Sequence, residues 1–474
     1  MVEYFKKLLP ECSLGLTALD YDKCKLLRLV SEKSFKNYYK TLGKKDQNWI
    51  KENNFNAELG ESIFMPDNNN HIKEVIVGIG EKKNFWNYAK ISKFLPPGNY
   101  KIDSKLFSEE AIAISWSLEN YSFKPYKNTK NNTNQQTNKN PKLSVSKKTL
   151  DKIKPILQGC YLARDLINLP ANFLGPDEME RFSRSFCKYH KASFKVVKGE
   201  ELKKKFPAIH MVGRASEQEP RLIDIHWGNK KNLPNVTLVG KGVTFDTGGL
   251  DIKSPKGMEI MKKDMGGAAI SLGLAHAIIS NKVNVNLRVL IPVVENSVSS
   301  KSMRPLDIIK TGSGIDVEIG NTDAEGRLIL ADAFNEAKQK DTDLLIDFST
   351  LTGAARIALG TELPVFFTNN DFIAEKLISL GEKVSDPLWR LPLHKPYERF
   401  LIRDNGSLSS TGSNAYGGAI TAALFLSKFI GDQDNWVHLD LMAWNQTSQP
   451  GRPQGGEAMS LRAIYEFLIN YEKN

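Results

Sequence analysis

The sequence of 474 residues is longer than one ordinary hydrophobic core requires, so we expect two or three domains. Its composition, with 41% apolar and 25% charged residues, excludes a membrane-embedded protein, since no run reaches the roughly 18 apolar residues of a membrane span. The net charge of +11 lies mostly in residues 1–150, which hold 25 Lys and Arg against 16 Asp and Glu.

This basic segment has two interpretations. Its lysines could contact nucleic acid, or they could cover the solvated faces of a lysine- and asparagine-rich protein. We favour the second interpretation because the lysines are scattered and form no arginine-rich patch. The four cysteines form no C-x-x-C pair and the N-terminus carries no apolar signal sequence, which indicates a cytoplasmic protein without a zinc ribbon or disulfide framework.

Residues 1–126 are predicted to form a small N-terminal α/β domain. The β-branched run 74–80 predicts a buried strand, and its two glycines mark the strand end because the third glycine of a dinucleotide-binding motif is missing. A helix is predicted over 108–121, with Ser108 as its N-cap. The segment 127–148 begins with an almost wholly polar run and is predicted to be a linker.

Residues 149–474 are predicted to form a larger domain, an α/β/α sandwich with a mixed sheet. Strand and helix patterns alternate along this part, as expected when helices cover both faces of a sheet. The nearly continuous apolar run Leu344–Phe348 predicts a strand buried on both faces. The predicted strands are 222–227, 236–239, 285–294, 344–348 and 436–439, and the predicted helices are 150–168, 268–280 and 374–380.

Two carboxylates and an arginine precede a further predicted helix in the stretch 321–333. Asp323 and Glu325 are two residues apart, a spacing that sends both side chains the same way from an extended loop, as ligands of a metal must point. Arg327 could hold an anion in a fixed geometry. The alternative is helix capping, in which Thr322 or Asp323 accepts hydrogen bonds from the first turn.

More charged residues lie in two glycine-rich loops upstream. The first loop follows the predicted strand 236–239 and contains Lys241, Asp246 and Lys253, and the second contains Asp264. Loops that leave the carboxyl ends of strands in an open α/β sheet commonly form functional sites. Taken singly, Asp246 would form an Asx turn, Asp264 would cap a helix and both lysines would lie at the surface.

Taken together, these four carboxylates suffice to hold a pair of divalent metal ions. Two metals can activate a water, polarise a peptide carbonyl and stabilise the oxyanion, and a metal that binds the substrate amine fixes the cut at the first residue. Other hydrolase designs are disfavoured, because the sequence contains neither H-E-x-x-H nor G-x-S-x-G.

Three blocks in the same order resemble the leucyl aminopeptidase (cytosol aminopeptidase) family of two-metal peptidases. They are GKGVTFDTGG at 240–249, MKKDMGGAA at 261–269 and NTDAEGRLILADA at 321–333. The third block matches the most diagnostic stretch of that family residue for residue, and the segment 451–458 resembles a divergent bacterial branch. The resemblance implies a cytoplasmic metallo-exopeptidase, a hydrolase that releases leucine-like N-terminal residues from peptides through a metal-bridged water.

The resemblance also assigns roles to individual residues. It implies two divalent metal ions per subunit, zinc or manganese, with magnesium or cobalt as alternatives. Asp246 and Glu325 would bridge both metals, and Lys253 would face the developing oxyanion while Arg327 holds a bicarbonate that acts as general base. The implied metal ligands are Lys241, Asp246, Asp264, Asp323 and Glu325.

The implied pocket for the N-terminal side chain suits medium apolar residues such as leucine, although pockets discriminate weakly between sizes one methylene apart. Its residues are Met261, Thr350, Leu351 and Gly353. The resemblance further implies peptide substrates and a homohexamer. The alternative function is an architectural or regulatory protein that binds DNA through the basic N-terminal domain, a role some bacterial members of the family have.

Overall fold

The computed structural model of this chain describes residues 14–81, 84–103, 108–123, 140–431 and 433–472. These residues divide into two compact units. The smaller unit comprises described residues up to 157 together with 447–454, and the larger unit comprises 158–446 together with 455–472.

The smaller unit contains a six-stranded, largely parallel sheet. The predicted strand at 74–80 is confirmed as Ile72–Gly78. The predicted helix is confirmed as Glu109–Glu119, and Ser108 caps it by accepting a hydrogen bond from the Ala111 amide at 3.2 Å. Across the sheet, the strands are Leu16–Thr17, Lys142–Ser144, Asn99–Asp103, Lys25–Val30, Ile72–Gly78 and the antiparallel edge strand Ser62–Pro66. The other helices are Tyr21–Lys23, Glu32–Thr41, Lys44–Glu52, Phe85–Tyr88 and Ile91–Phe94.

The predicted linker 127–148 is wrong at its C-terminal end. Residues 124–139 lie outside the described residues, but Lys142–Ser144 forms a strand that pairs in parallel with Asn99 and Tyr100. Leu143 is buried in this strand, and one buried apolar residue in a polar context is too weak a signal for a sequence pattern to detect. The next helix, Lys147–Asn168, begins three residues earlier than predicted.

The larger unit contains a mixed nine-stranded sheet. Four central strands run parallel, and antiparallel strands flank them on both sides. Across the sheet, the strands are Trp389–Arg390, Val365–Phe367, Trp436–Asp440, Leu344–Ser349, Asn235–Gly240, Asn286–Asn296, Arg221–Trp227 and Ser193–Lys198, with Gly242–Asp246 paired to the end of Asn286–Asn296. Smaller sheets contain Ile308–Lys310, Asp316–Glu318 and Leu408–Ser409, and Trp444–Asn445 with Gly455–Gly456.

Helices cover both faces of this sheet. On one face, helices that include Pro207–Gly213, Glu325–Ala337 and Gly418–Ser427 share a core cluster with the strand residues Val239, Leu290 and Leu345. Alternate strand residues face opposite sides, so the fully buried Leu238 and Ile346 require a second cover, and the helix Gly266–Ser280 packs on their strands. The helices of the larger unit are Pro176–His190, Gly199–Lys205, Pro207–Gly213, Pro255–Met258, Met261–Met265, Gly266–Ser280, Glu325–Ala337, Gly353–Leu359, Asp371–Lys383, Lys395–Leu401, Gly418–Ser427 and Leu461–Leu468.

The predicted mixed α/β fold is therefore confirmed. All six residues of Leu344–Ser349 are buried, as expected for a strand with both faces covered. None of the helices in the described part of the chain combines the length and apolar character needed to span a bilayer.

Candidate metal centre

The charged residues singled out in the sequence gather where parallel strands of the larger sheet end. Lys241 sits between the strands Asn235–Gly240 and Gly242–Asp246, and its amide donates to the Phe348 carbonyl at 3.0 Å. Asp246 is the last residue of its strand, and Glu325 is the first residue of the helix Glu325–Ala337. The parallel strands thus bring residues distant in sequence to one edge of the sheet.

Three carboxylates form the centre of this group. Asp246, Asp323 and Glu325 offer oxygen atoms that all lie within 4.8 Å of one another. Helix capping does not explain them, because the N-cap residue is Ala324 and no side chain caps this helix. Asp246 does form the Asx turn considered above, since its Oδ1 accepts from the Gly248 amide at 2.9 Å, but its Oδ2 stays directed at the cluster.

Lys241 and Asp264 extend the cluster on its buried side. The Lys241 Nζ lies 2.8 Å from Asp264 Oδ2 and 2.8 Å from Glu325 Oε1. Both oxygens are buried, and within the described part of the chain neither accepts a hydrogen bond of good geometry. The Thr350 hydroxyl donates to the other Asp264 oxygen, Oδ1, at 2.7 Å and so orients this carboxylate.

Lys253 lies on the more accessible side of the carboxylate cluster. Its Nζ lies 2.8 Å from Asp246 Oδ2 and also forms an ion pair with Asp323. Burial alone would lower the pKa of Lys253, but the charge of Asp246 and the hydrogen bonds to both carboxylates outweigh it and raise the pKa above its ordinary value. Lys253 therefore carries a positive charge at neutral pH.

The carboxylates repel one another in a buried setting. Burial and the charge of Asp246 raise the pKa of Glu325 to about 8, and the same two causes raise that of Asp323 to about 6. The four carboxyl groups outnumber the two ammonium groups, so additional positive charge would stabilise their ionised forms. Convergent, partly orphaned carboxylate oxygens of this kind are what a divalent cation coordinates, so the residues fit metal ions.

Arg327 lies in the first turn of the helix Glu325–Ala337 and is 8% exposed. Its Nη1 donates to the Ser410 carbonyl at 2.8 Å, and its buried Nε has no hydrogen-bond partner among the described residues. Burial lowers the pKa of Arg327 to about 10, so the guanidinium remains charged at neutral pH. A buried charged donor with a free N–H group is suited to an anion.

The four implied pocket residues lie on two neighbouring segments. Met261 is half-buried at the start of the 3-10 helix Met261–Met265, which also carries Asp264. Thr350 is buried, Leu351 is half-buried and Gly353 is exposed at the start of the helix Gly353–Leu359. The bond from Thr350 to Asp264 joins the two segments.

Some residues of the site were not singled out from the sequence. Asn296 Nδ2 donates to Asp246 Oδ1 at 2.9 Å and to the Thr322 carbonyl at 3.2 Å. Asp440 accepts from the amides of Leu351 and Thr352 at 3.0 and 3.1 Å and holds the pocket loop. Asn296 and Asp440 are each the last residue of a central strand. This position could have indicated them from the sequence, since functional sites in α/β sheets collect at strand ends.

The chain matches known proteins over most of its length. The model of the "Cytosol aminopeptidase family, catalytic domain" matches residues 161–465, and that of the "M17 aminopeptidase, N-terminal domain" matches residues 26–137. The probable cytosol aminopeptidase of Chlamydia abortus is 34% identical over 449 residues, which cover 88% of this chain and 89% of the relative.

Solved structures agree with these matches. The crystal structure of the cytosol aminopeptidase from Coxiella burnetii has a TM-score of 0.90 and 42% sequence identity, covering 96% of this chain and 99% of that chain. The bottromycin maturation enzyme BotP in complex with Mn has a TM-score of 0.82 and 26% sequence identity, and the match covers 94% of this chain and 99% of that chain. The alternative of a DNA-binding function gains no support from these matches.

A mixed α/β fold with buried carboxylates and lysines gathered at its strand ends defines a metal-dependent enzyme. The matches specify which one: the chain belongs to the cytosol aminopeptidase family. It is a metal-dependent aminopeptidase, a hydrolase that acts on peptides.

Proposed function

We propose that this enzyme releases N-terminal residues from peptides by means of two divalent cations. The ligands would be Lys241, Asp246, Asp264, Asp323 and Glu325. The observation that carries the proposal is the 4.8 Å cluster of three carboxylates with Lys241 beside it, 2.8 Å from both Asp264 and Glu325. When bound, such metals supply a nucleophilic water and polarise the scissile carbonyl.

The protein side chains have separate roles in this proposal. Lys253 remains protonated and stabilises the negative charge that develops on the carbonyl oxygen. Lys241 binds as a neutral amine, and adjacent dications favour the loss of its proton. Arg327, with its unpartnered Nε, would hold a bicarbonate, which supplies a general base at a site where the sequence offers no histidine.

The substrate and assembly belong to the proposal as well. Met261, Thr350, Leu351 and Gly353 would line the pocket for the N-terminal side chain and accept leucine. Zinc or manganese would serve as the metal, with magnesium or cobalt as alternatives, and BotP, a structural neighbour, has been solved in complex with Mn. We propose a homohexamer in the cytoplasm, by analogy with the family.

Hydrolysis of leucine p-nitroanilide in the presence of Mn²⁺ or Zn²⁺ tests the proposal. We expect activity that a chelator abolishes and that either metal restores. Glu325→Gln should lower kcat by about 1000-fold or more, because it replaces a carboxylate that would hold the metal ions with a neutral amide. The matched control is Glu375→Gln, which changes an exposed residue of the helix Asp371–Lys383. The absence of chelator-sensitive cleavage of any aminoacyl substrate would refute the proposal.

A further inference from the structure

Two cationic side chains lie on the elements that carry the proposed pocket residues, and the proposed mechanism uses neither of them. Lys263 follows Met261 in the 3-10 helix Met261–Met265. Arg356 follows Gly353 by about one turn in the helix Gly353–Leu359. A Cβ atom placed on Gly353 would lie 3.8 Å from Arg356 Nη2, so this guanidinium borders a pocket residue directly.

Among the described residues, neither cation has a carboxylate to itself. Lys263 is 1% exposed, and its nearest carboxylate oxygen, Asp264 Oδ1, is 4.0 Å away and already accepts from Thr350. Arg356 as a whole is half-buried, but its Nη1 is buried without a hydrogen-bond partner in the described part of the chain, and none of the ion pairs among the described residues includes Arg356. Proteins rarely bury cations in this state, because desolvation is uncompensated without an anion.

The neighbouring Lys262 differs from both cations, because it donates to the Asn168 carbonyl at 2.7 Å and so has a partner of its own. Like charges beside a substrate pocket are stabilised when the substrate supplies the opposite charge.

We propose that Lys263 and Arg356 determine specificity by binding a carboxylate in the side chain of the substrate's N-terminal residue. Peptides that begin with glutamate or aspartate would then be substrates in addition to those that begin with leucine. A guanidinium and an ammonium group can share the oxygens of one carboxylate. This inference rests on the proposed function and names a substrate class for the same site.

A pair of substrates that differ in charge but not in size tests the inference. We would measure kcat/KM for glutamate and glutamine p-nitroanilides with the full-length enzyme and Mn²⁺. These substrates lack a C-terminal carboxylate, so only the side-chain charge differs. We expect the glutamate substrate to be favoured roughly tenfold or more, the range for a buried charge-assisted pair.

Substitutions test which residues produce the preference for the glutamate substrate. Lys263→Met and Arg356→Met should each lower the glutamate-to-glutamine ratio by roughly tenfold, whereas Arg356→Lys should keep most of it. The matched control is Lys256→Met, which removes an exposed cation from the nearby helix Pro255–Met258 and should leave the ratio unchanged.

Hydrolysis of leucine p-nitroanilide by the same preparations separates the two proposals. If the enzyme cleaves none of the three substrates, the proposed function fails. If it cleaves the leucine and glutamine substrates but does not favour glutamate, or if neither methionine variant changes the ratio, only this inference is overturned. Should Lys263→Met fail to fold, the glutamate-to-glutamine ratio of the wild type and of the Arg356 variants still tests this inference.

Discussion

Gly326 is the residue at which a helix backbone and the Lys241 side chain approach most closely. A Cβ atom at this position would lie 2.6 Å from Lys241 Cε and 2.7 Å from its Nζ. We expect Gly326→Ala to displace this amine from Asp264 and Glu325, and to lower kcat for leucine p-nitroanilide by about 100-fold at saturating Mn²⁺. Alanine favours a helix over glycine by about 1 kcal/mol, so thermal stability should fall little.

Gly412→Ala is the matched control for this substitution. The three atoms nearest to a Cβ atom there all belong to the Thr421 side chain, at 3.4 Å or more, which is ordinary van der Waals contact. We expect wild-type kcat from this variant. Full activity of Gly326→Ala would mean that the position of the Lys241 amine does not matter for catalysis.

At the scale of elements, Asn296 joins a strand end to two segments of the proposed metal centre. Its side-chain amide donates to Asp246 Oδ1 and to the Thr322 carbonyl. We expect Asn296→Ala to raise the Mn²⁺ concentration for half-maximal activity by roughly 10- to 100-fold, the usual effect of losing a residue that orients a metal ligand. Titration of leucine p-nitroanilide hydrolysis with Mn²⁺ measures this concentration.

The kcat at saturating metal distinguishes this role from general damage. It should stay within a few-fold of the wild-type value, because all five proposed ligands remain. Asn370→Ala serves as the control, since it also removes an asparagine hydrogen bond, from Ile373 N to Asn370 Oδ1, but at a helix N-cap remote in sequence from the proposed ligands. An unchanged metal requirement in Asn296→Ala would contradict the assignment.

Asn296 also shows how far sequence patterns define elements. The apolar pattern predicts a strand that ends at Val294, yet the strand continues to Asn296, where it pairs with Asp246. Backbone pairing extends the strand, and backbone hydrogen bonds leave no trace in side-chain periodicity. The elements themselves were predictable because their apolar runs are long, whereas their last residues, which position the site, were not.

The same limit applies within the site. The carboxylates Asp246, Asp264, Asp323 and Glu325 could be singled out from residue type and motif, whereas Lys241 was singled out only through the family resemblance. Lys263 could not, since the pair Lys262-Lys263 resembles any solvated basic run. Only the three-dimensional structure distinguishes them: Lys263 is 1% exposed, whereas Lys262 is half-buried.

At the scale of the whole molecule, a pair of buried histidines links stability to pH. His190 Nε2 and His276 Nδ1 lie 3.0 Å apart between the helices Pro176–His190 and Gly266–Ser280. Burial lowers the pKa of His190 to about 4, and burial together with the charge of His190 lowers that of His276 to about 3. Both side chains are therefore neutral in the folded protein at neutral pH.

The sign of the pH effect follows from these values. An unfolded chain binds protons at both histidines below the ordinary histidine pKa of about 6.5, whereas the folded protein binds them only near pH 3 to 4. The stability contribution is thus fully present above pH 6.5 and is lost as the pH falls toward the folded-state values. Each histidine should remove about 2 kcal/mol of unfolding free energy between pH 7.5 and 5.0.

His276→Gln removes one of these titrations while keeping a polar side chain of similar size. We expect the loss of unfolding free energy on going from pH 7.5 to 5.0, measured by urea denaturation, to be about 2 kcal/mol smaller in this variant than in the wild type. His71→Gln is the control, because the His71 side chain is 81% exposed and its replacement should leave the acid sensitivity unchanged. Equal acid sensitivity of His276→Gln and the wild type would show that protonation of this pair does not set the acid limit of the fold.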